Sequence, residues 1–160
     1  LTPRRLLFVC SGNICRSPLA EAVFRRLAKE AGLEDRFRID SAGTHDFHEG
    51  DRADPRARRV GQRHGLDVTS IARPVEDQDF ERFDLVLAMD RGHLRELRAR
   101  CPPEIRDRIR LMRDFDGQGE GARDVPDPYY QGEEAFERVY ELLLTCCRGL
   151  LEHLRPPSRK

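Results

Sequence analysis

Residues 10–17 read Cys-Ser-Gly-Asn-Ile-Cys-Arg-Ser, a cysteine and an arginine with five residues between them, set between the apolar run at 6–9 and Pro18. A loop that leaves a buried strand and enters a helix can turn several backbone N–H groups toward one point, where the helix dipole also favours negative charge. An anion is expected to sit there. Arg16 adds a planar fork matched to two phosphate oxygens. Cys10, at the start of the loop, is a thiol that the same positive field favours as the thiolate nucleophile. Displacing phosphate from oxygen needs a nucleophile, a clamp for the phosphoryl charge and an acid for the leaving group. Cys10 would attack phosphorus in line and become a phosphocysteine. Arg16 and the amides of residues 11–16 would hold the equatorial oxygens. With that positive charge supplied, no metal is needed. Gly12 and Asn13 are residue types that tolerate positive φ, which a loop folding back on an anion requires.

The elements that must position these residues follow from the apolar pattern. Residues 6–10 form a short continuous apolar run, as expected for a strand covered on both faces of a parallel sheet. Ser17 suits an N-cap and Pro18 the first helical position, with Leu19, Ala22, Val23 and Leu27 recurring at helical spacing up to Gly32. Residues 37–42 alternate as a second strand before Gly43, and 44–53 read as a polar loop. Asp54-Pro55 opens a helix that runs to about His64. Residues 85–89 are a third buried strand, 91–100 a polar helix stopped by Cys101-Pro102, and 109–115 a fourth strand. The stretch 116–132 is rich in Gly, Asp and Pro and long enough to suggest a function. A docking helix from Glu133 to near Pro156 completes the chain. This alternation implies an α/β fold, a three-layer α/β/α sandwich around a four-stranded parallel sheet, in a single domain over 1–160.

Composition narrows the classes. With 160 residues the chain can bury a core without staples. Lys plus Arg and Asp plus Glu are both 29, so no bulk charge points to nucleic acid or an anionic membrane as partner. Lys29 and Lys160 are the only lysines, so the cations are nearly all arginine. The five cysteines, without small-scaffold spacing, argue against a disulfide framework. No apolar run approaches the roughly 18 residues that span a bilayer, and a cytoplasmic location is expected. Cys10 and Cys15 with His45 and His48 fit no closed zinc site, so neither metal nor cofactor is expected.

Extended to residues 8–18, Phe-Val-Cys-Ser-Gly-Asn-Ile-Cys-Arg-Ser-Pro, the loop resembles the signature of the low-molecular-weight protein tyrosine phosphatases. Its Gly-Asn pair, second cysteine and Ser-Pro carry the likeness beyond the bare Cys-to-Arg spacing. Asp127-Pro128-Tyr129-Tyr130 resembles a second element of that family, where the general acid lies. The resemblance implies a flavodoxin-like sheet of order 2-1-3-4, with Cys10 at the topological switch point where ligands bind. It implies hydrolysis of phosphotyrosine in proteins or of small aryl phosphates, with Asp127 as acid in the first step and base in the second. Asn13 would brace the loop and the Ser17 hydroxyl would hydrogen-bond the thiolate. Ile14 would shape the slot, with Phe47, Tyr129 and the adjoining Tyr130 beside the substrate ring. Aromatic walls favour an aryl phosphate.

Relatives of the same fold set the alternatives. Protein-arginine phosphatases carry a smaller polar residue where Ile14 stands, and arsenate reductases need two further redox cysteines, absent as a close pair before Cys101. A non-catalytic phosphotyrosine binder or a redox sensor using Cys10 and Cys15 is a different class, but a binder needs no acid such as Asp127. Cys10 is expected to be the first thiol oxidised, with Cys15 close enough in the curled loop to form a disulfide with it. One position departs from the family pattern: Ser70 stands where some members have a loop-bracing histidine.

Overall fold

The computed structural model describes residues 2–118 and 123–156. Strand β1 (Arg4–Cys10) lies inside a parallel sheet of order β2-β1-β3-β4, with β2 (Phe37–Gly43), β3 (Leu85–Ala88) and β4 (Ile109–Leu111). The expected architecture and strand order are both present. Successive side chains of a strand point to opposite faces, so a continuous apolar run must be covered twice. Leu6 and Phe8 enter one core with helices α1 (Arg16–Glu30), α2 (Pro55–Arg63) and α5 (Glu133–Leu154). Leu7 and Val9 enter a second core with Phe80 of the short helix α3 (Asp79–Arg82) and Leu97 of α4 (Arg91–Arg100). Those two cores are the reason for three layers. The last residue of β1 is Cys10, paired in register with Gly43, so the sheet carries Cys10 to its carboxyl edge at the middle of the fold. Among the described residues, no helix is long and apolar enough to cross a membrane.

Helix α2 begins as expected, Asp54 capping it by accepting the Arg56 N–H. Helix α1 does not. Its N-cap is Cys15 and Ser17 lies within the first turn, because the Ser17 hydroxyl is engaged below the loop and the helix begins two residues earlier to aim it there. The fourth strand is also shorter than 109–115. Only Ile109–Leu111 pairs, and Met112–Phe115 winds into a 3₁₀ turn. Met112 and Phe115 both bury into the core shared with α5. Residues three apart share a face in a 3₁₀ turn and not in a strand, so the turn is the conformation that buries both. Short helix α3 has no apolar period to announce it; its buried Asp79 instead binds Arg73 and the Glu76 N–H. The irregular stretch after Phe115 is confirmed where described, while 119–122 lie outside the described residues.

Helix α5 passes so close to the 3₁₀ turn that a Cβ on Gly149 would collide with the Phe115 carbonyl. Alanine is intrinsically better in a helix by about 1 kcal/mol, but overpacking against a backbone atom costs about 1–3 kcal/mol. Gly149→Ala is therefore expected to destabilise the protein by up to roughly 2 kcal/mol, read as a lower urea midpoint with unchanged slope. A midpoint that rises would mean that the helix and turn are not in this contact.

Candidate active site

Between β1 and α1 the chain curls around the Cys10 sulfur. Asn13 takes a left-handed conformation with φ 59°, the only non-glycine residue with positive φ among those described. Gly12 does not share it. Its role is spatial, since a Cβ there would meet His48 Cδ2 at 2.8 Å and His45 Cε1 at 3.2 Å. None of the backbone amides of Ser11, Gly12, Asn13, Ile14 and Cys15 donates to a protein acceptor among the described residues, which leaves them for a ligand.

The direction of the hydrogen bonds beneath the loop follows from valence. The Arg73 backbone N–H can only donate, and it faces Asn13 Oδ1 at 3.1 Å. The Asn13 amide is thereby oriented so that Nδ2 donates to Ser17 Oγ at 2.8 Å. Ser17 keeps its single hydrogen free, and when Cys10 is a thiolate, with no hydrogen of its own, Ser17 donates it to Cys10 Sγ, 3.0 Å away. Arg73 is itself anchored by Asp79 at 2.9 Å and Asp40 at 3.0 Å. Burial disfavours its charge, but the two carboxylates outweigh burial and hold the guanidinium above its usual pKa. Ser70 does not substitute for a bracing histidine; its buried hydroxyl has no partner among the described residues, and the Arg73 N–H holds Asn13 instead.

Arg16 is 3% exposed and held at both terminal nitrogens. One nitrogen donates to Asp90 Oδ2 at 3.1 Å and to the Val125 carbonyl at 2.9 Å. The other donates to Ser11 Oγ at 3.4 Å and lies 3.7 Å from Asp127 Oδ2. The Asp127 loop is moored to the end of β3 where the Val125 N–H meets the Met89 carbonyl at 2.8 Å. Asp127 Oδ1 accepts the Tyr129 N–H at 3.1 Å, which leaves the other oxygen toward the cavity.

A cavity of about 340 Å³ opens above the loop, lined by every residue named from the sequence except Asn13 and Ser17, which lie beneath it. Cys10, Arg16 and Asp127 meet there. Phe47 and Tyr130 form the outer rim and are 80% and 90% exposed. Phe47 rests on His45 with ring centroids 4.1 Å apart, and Tyr129 packs edge-on to Tyr130 at 4.9 Å. Cys10 and Cys15 are both free thiols lining this cavity. Burial, with the Asp54 charge next, pushes the Cys15 thiol well above its ordinary range, so it stays protonated at neutral pH. Cys101 is buried in the second core and Cys146 and Cys147 in the first, away from the cavity lining.

Two site residues escaped the sequence reading. Asp90 caps α4 by accepting the His93 N–H at 2.8 Å while its other oxygen takes Arg16. His93 Nε2 lies 2.8 Å from Ser11 Oγ. The available signal was positional: a carboxylate that ends a buried strand stands at the ligand-binding edge of a parallel sheet.

Comparisons with known proteins agree over nearly the whole chain. The family model for low molecular weight phosphotyrosine protein phosphatase matches residues 5–159. A low molecular weight protein-tyrosine-phosphatase of Streptomyces coelicolor is 48% identical over 154 residues, 94% of this chain and 93% of that protein. The human low molecular weight phosphotyrosine protein phosphatase is 38% identical, covering 93% of this chain and 94% of its own. Among solved structures, a protein tyrosine phosphatase from Entamoeba histolytica with Hepes in its active site superposes with a TM-score of 0.90. It is 46% identical and covers 94% of this chain and 96% of that one.

The bond from Ser17 to sulfur can be tested alone. A hydrogen bond to a charged group is worth about 1.5–3 kcal/mol, so Ser17→Ala is expected to lower kcat roughly 10- to 100-fold. It should also slow alkylation of Cys10 by iodoacetamide at neutral pH, read by peptide mapping. Wild-type values for both would show that the hydroxyl does not donate to the sulfur.

Proposed function

The chain belongs to the low molecular weight phosphotyrosine protein phosphatase family and hydrolyses phosphotyrosine; we propose that it does so through a phosphocysteine on Cys10. The observation that carries this reading is the convergence in one cavity of the Cys10 sulfur, the buried Arg16 fork, five unengaged amides and the Asp127 carboxyl. The phosphoryl group enters with its equatorial oxygens on Arg16 and the amides, where developing charge is met without reorganisation. The Cys10 thiolate attacks phosphorus, the bond to the phenolic oxygen breaks, and Asp127 gives that oxygen its proton. Asp127, now a carboxylate, takes a proton from water as the water oxygen attacks phosphorus. The P–S bond breaks, inorganic phosphate leaves and the thiolate returns. Ser17 steadies the sulfur as nucleophile and again as leaving group.

Substrate choice rests on the walls. Phe47 and Tyr129 flank the entrance and Ile14 lines the slot, so a flat aryl ring fits between apolar surfaces. The sulfur lies at the buried floor, 3% exposed, a depth that suits the long reach of phosphotyrosine over phosphoserine. Ile14 favours the aryl ester over phosphoarginine, and among the described residues Cys15 is the one cysteine beside Cys10 in the cavity lining, short of the two an arsenate-reducing relay needs. The same reading gives phosphotyrosine-containing proteins or small aryl phosphates as substrates, in a reducing cytoplasm that keeps Cys10 a thiol.

The role of Asp127 separates this reading from simple binding. General acid catalysis contributes about 10²- to 10⁴-fold where the leaving group needs a proton. Asp127→Ala is expected to slow esters of high-pKa phenols by about 100-fold or more while sparing those of acidic phenols, in a series of kcat/KM values. An equal loss across the series would place the acid elsewhere.

A further inference from the structure

We infer that His93 is a positioning residue that accepts the Ser11 hydroxyl proton and so keeps the Ser11 oxygen turned, lone pairs outward, as an acceptor for Arg16. The inference deepens the phosphatase reading and rests on it for the use to which Arg16 is put. His93 lies in the first turn of α4, 5% exposed, with its ring between Asp90 and the phosphate loop. Its Nε2 is 2.8 Å from Ser11 Oγ. Its Nδ1 is 3.2 Å from Asp90 Oδ1, a contact too poorly aligned to be a hydrogen bond, and has no other partner among the described residues.

The position of the ring proton follows from what each nitrogen faces. A proton on Nε2 would leave the Nδ1 lone pair against a carboxylate oxygen in a buried place, where unscreened repulsion is costly. A proton on Nδ1 makes that contact attractive and leaves Nε2 able only to accept. Ser11 must then donate to His93, since the hydroxyl is the one group between them with a hydrogen left to give. Arg16 has donors alone, and its second nitrogen approaches the same Ser11 oxygen at 3.4 Å. Both constraints turn Ser11 the same way. Asp90, His93, Ser11 and Arg16 thus close a ring, because Asp90 also binds the other Arg16 nitrogen at 3.1 Å.

Burial keeps His93 neutral against most of the charges around it. Asp90 at the start of α4, with Asp127 and Asp124 on the neighbouring loop, favours protonation, while Arg16 on α1 opposes it. Burial is the largest influence and lowers the His93 pKa to about 4. At working pH Nε2 therefore remains an acceptor. A protonated ring would point a hydrogen at Ser11 and release its hydroxyl toward the guanidinium, loosening the clamp.

The test uses the full chain, with p-nitrophenyl phosphate as substrate and inorganic phosphate as probe of the anion site. His93→Leu is expected to weaken phosphate binding and lower kcat/KM, each roughly 5- to 10-fold, the loss of one net hydrogen bond. His93→Gln, whose Oε1 can accept near the Nε2 position, should recover both to within about 3-fold. In a Ser11→Ala background His93→Leu should weaken phosphate binding no further, since the two residues then act as a unit. In the wild type, two-bond ¹H–¹⁵N spectra at neutral pH should show the His93 proton on Nδ1. A proton on Nε2, or losses from Ser11→Ala and His93→Leu that multiply, would overturn the inference. The spectrum and the Gln variant decide it even if the Leu variant fails to fold. Wild-type protein that binds phosphate yet turns over no aryl phosphate would remove the reaction assignment, with the tautomer and phosphate affinities still readable.

Discussion

The structure depends on one directed chain of hydrogen bonds, from the Arg73 N–H through the Asn13 amide and the Ser17 hydroxyl to the Cys10 sulfur. The first two links have their polarity set by the Arg73 N–H, which can only donate, and the last by a thiolate sulfur, which can only accept. The chain explains why Asn13 bears a left-handed backbone that most residues avoid: only there can its side chain reach down to Ser17 while the main chain turns over the sulfur. It also explains why α1 begins at Arg16 and not after Ser17. An N-cap serine would turn its oxygen toward the first-turn N–H groups of the helix and away from Asn13 and the sulfur.

Burying Arg16 is the second constraint, since a desolvated cation is tolerated only when paired and hydrogen-bonded. The fold gives it Asp90 from the end of β3, the Val125 carbonyl from the loop before α5 and Ser11 from its own loop. These partners fix the fork from behind, with Asp127 at its margin where a phosphate ester would arrive. Asp127, the proposed general acid, therefore sits beside Arg16 by consequence of the same moorings. Val125 links them, donating to Met89 while accepting from Arg16 two residues before Asp127.

What could be read in advance was local. Cys10 and Arg16 between an apolar strand and a proline, the two-sided burial of residues 6–9 and the Asp54-Pro55 helix start are properties of neighbours in the chain. What could not be read depends on contacts across it. Local pattern alone makes Ser17 a cap, while its partners Asn13 and Cys10 follow only from the family resemblance and the curled loop that assembles them. The strand expected over 109–115 stops at Leu111 because Phe115 must follow Met112 onto the face that α5 covers. Gly12 was read as conformational freedom, whereas His45 and His48 from the next loop require its lack of a side chain. His93 and Asp90 lie about 80 residues from the loop they support, a pairing that only the adjacency of β1 and β3 creates.

The central claim is that the phosphoryl group passes through sulfur. It is tested most directly by mixing the enzyme with a ³²P-labelled phosphotyrosine peptide, quenching in denaturant within the first turnover and mapping the labelled fragments. The account predicts covalent label on the peptide that contains Cys10, accumulating before free phosphate appears, discharged to phosphate by water and absent from Cys10→Ser. Release of labelled phosphate in the first turnover with no protein-bound label at any quench time, or label on another residue, would contradict it.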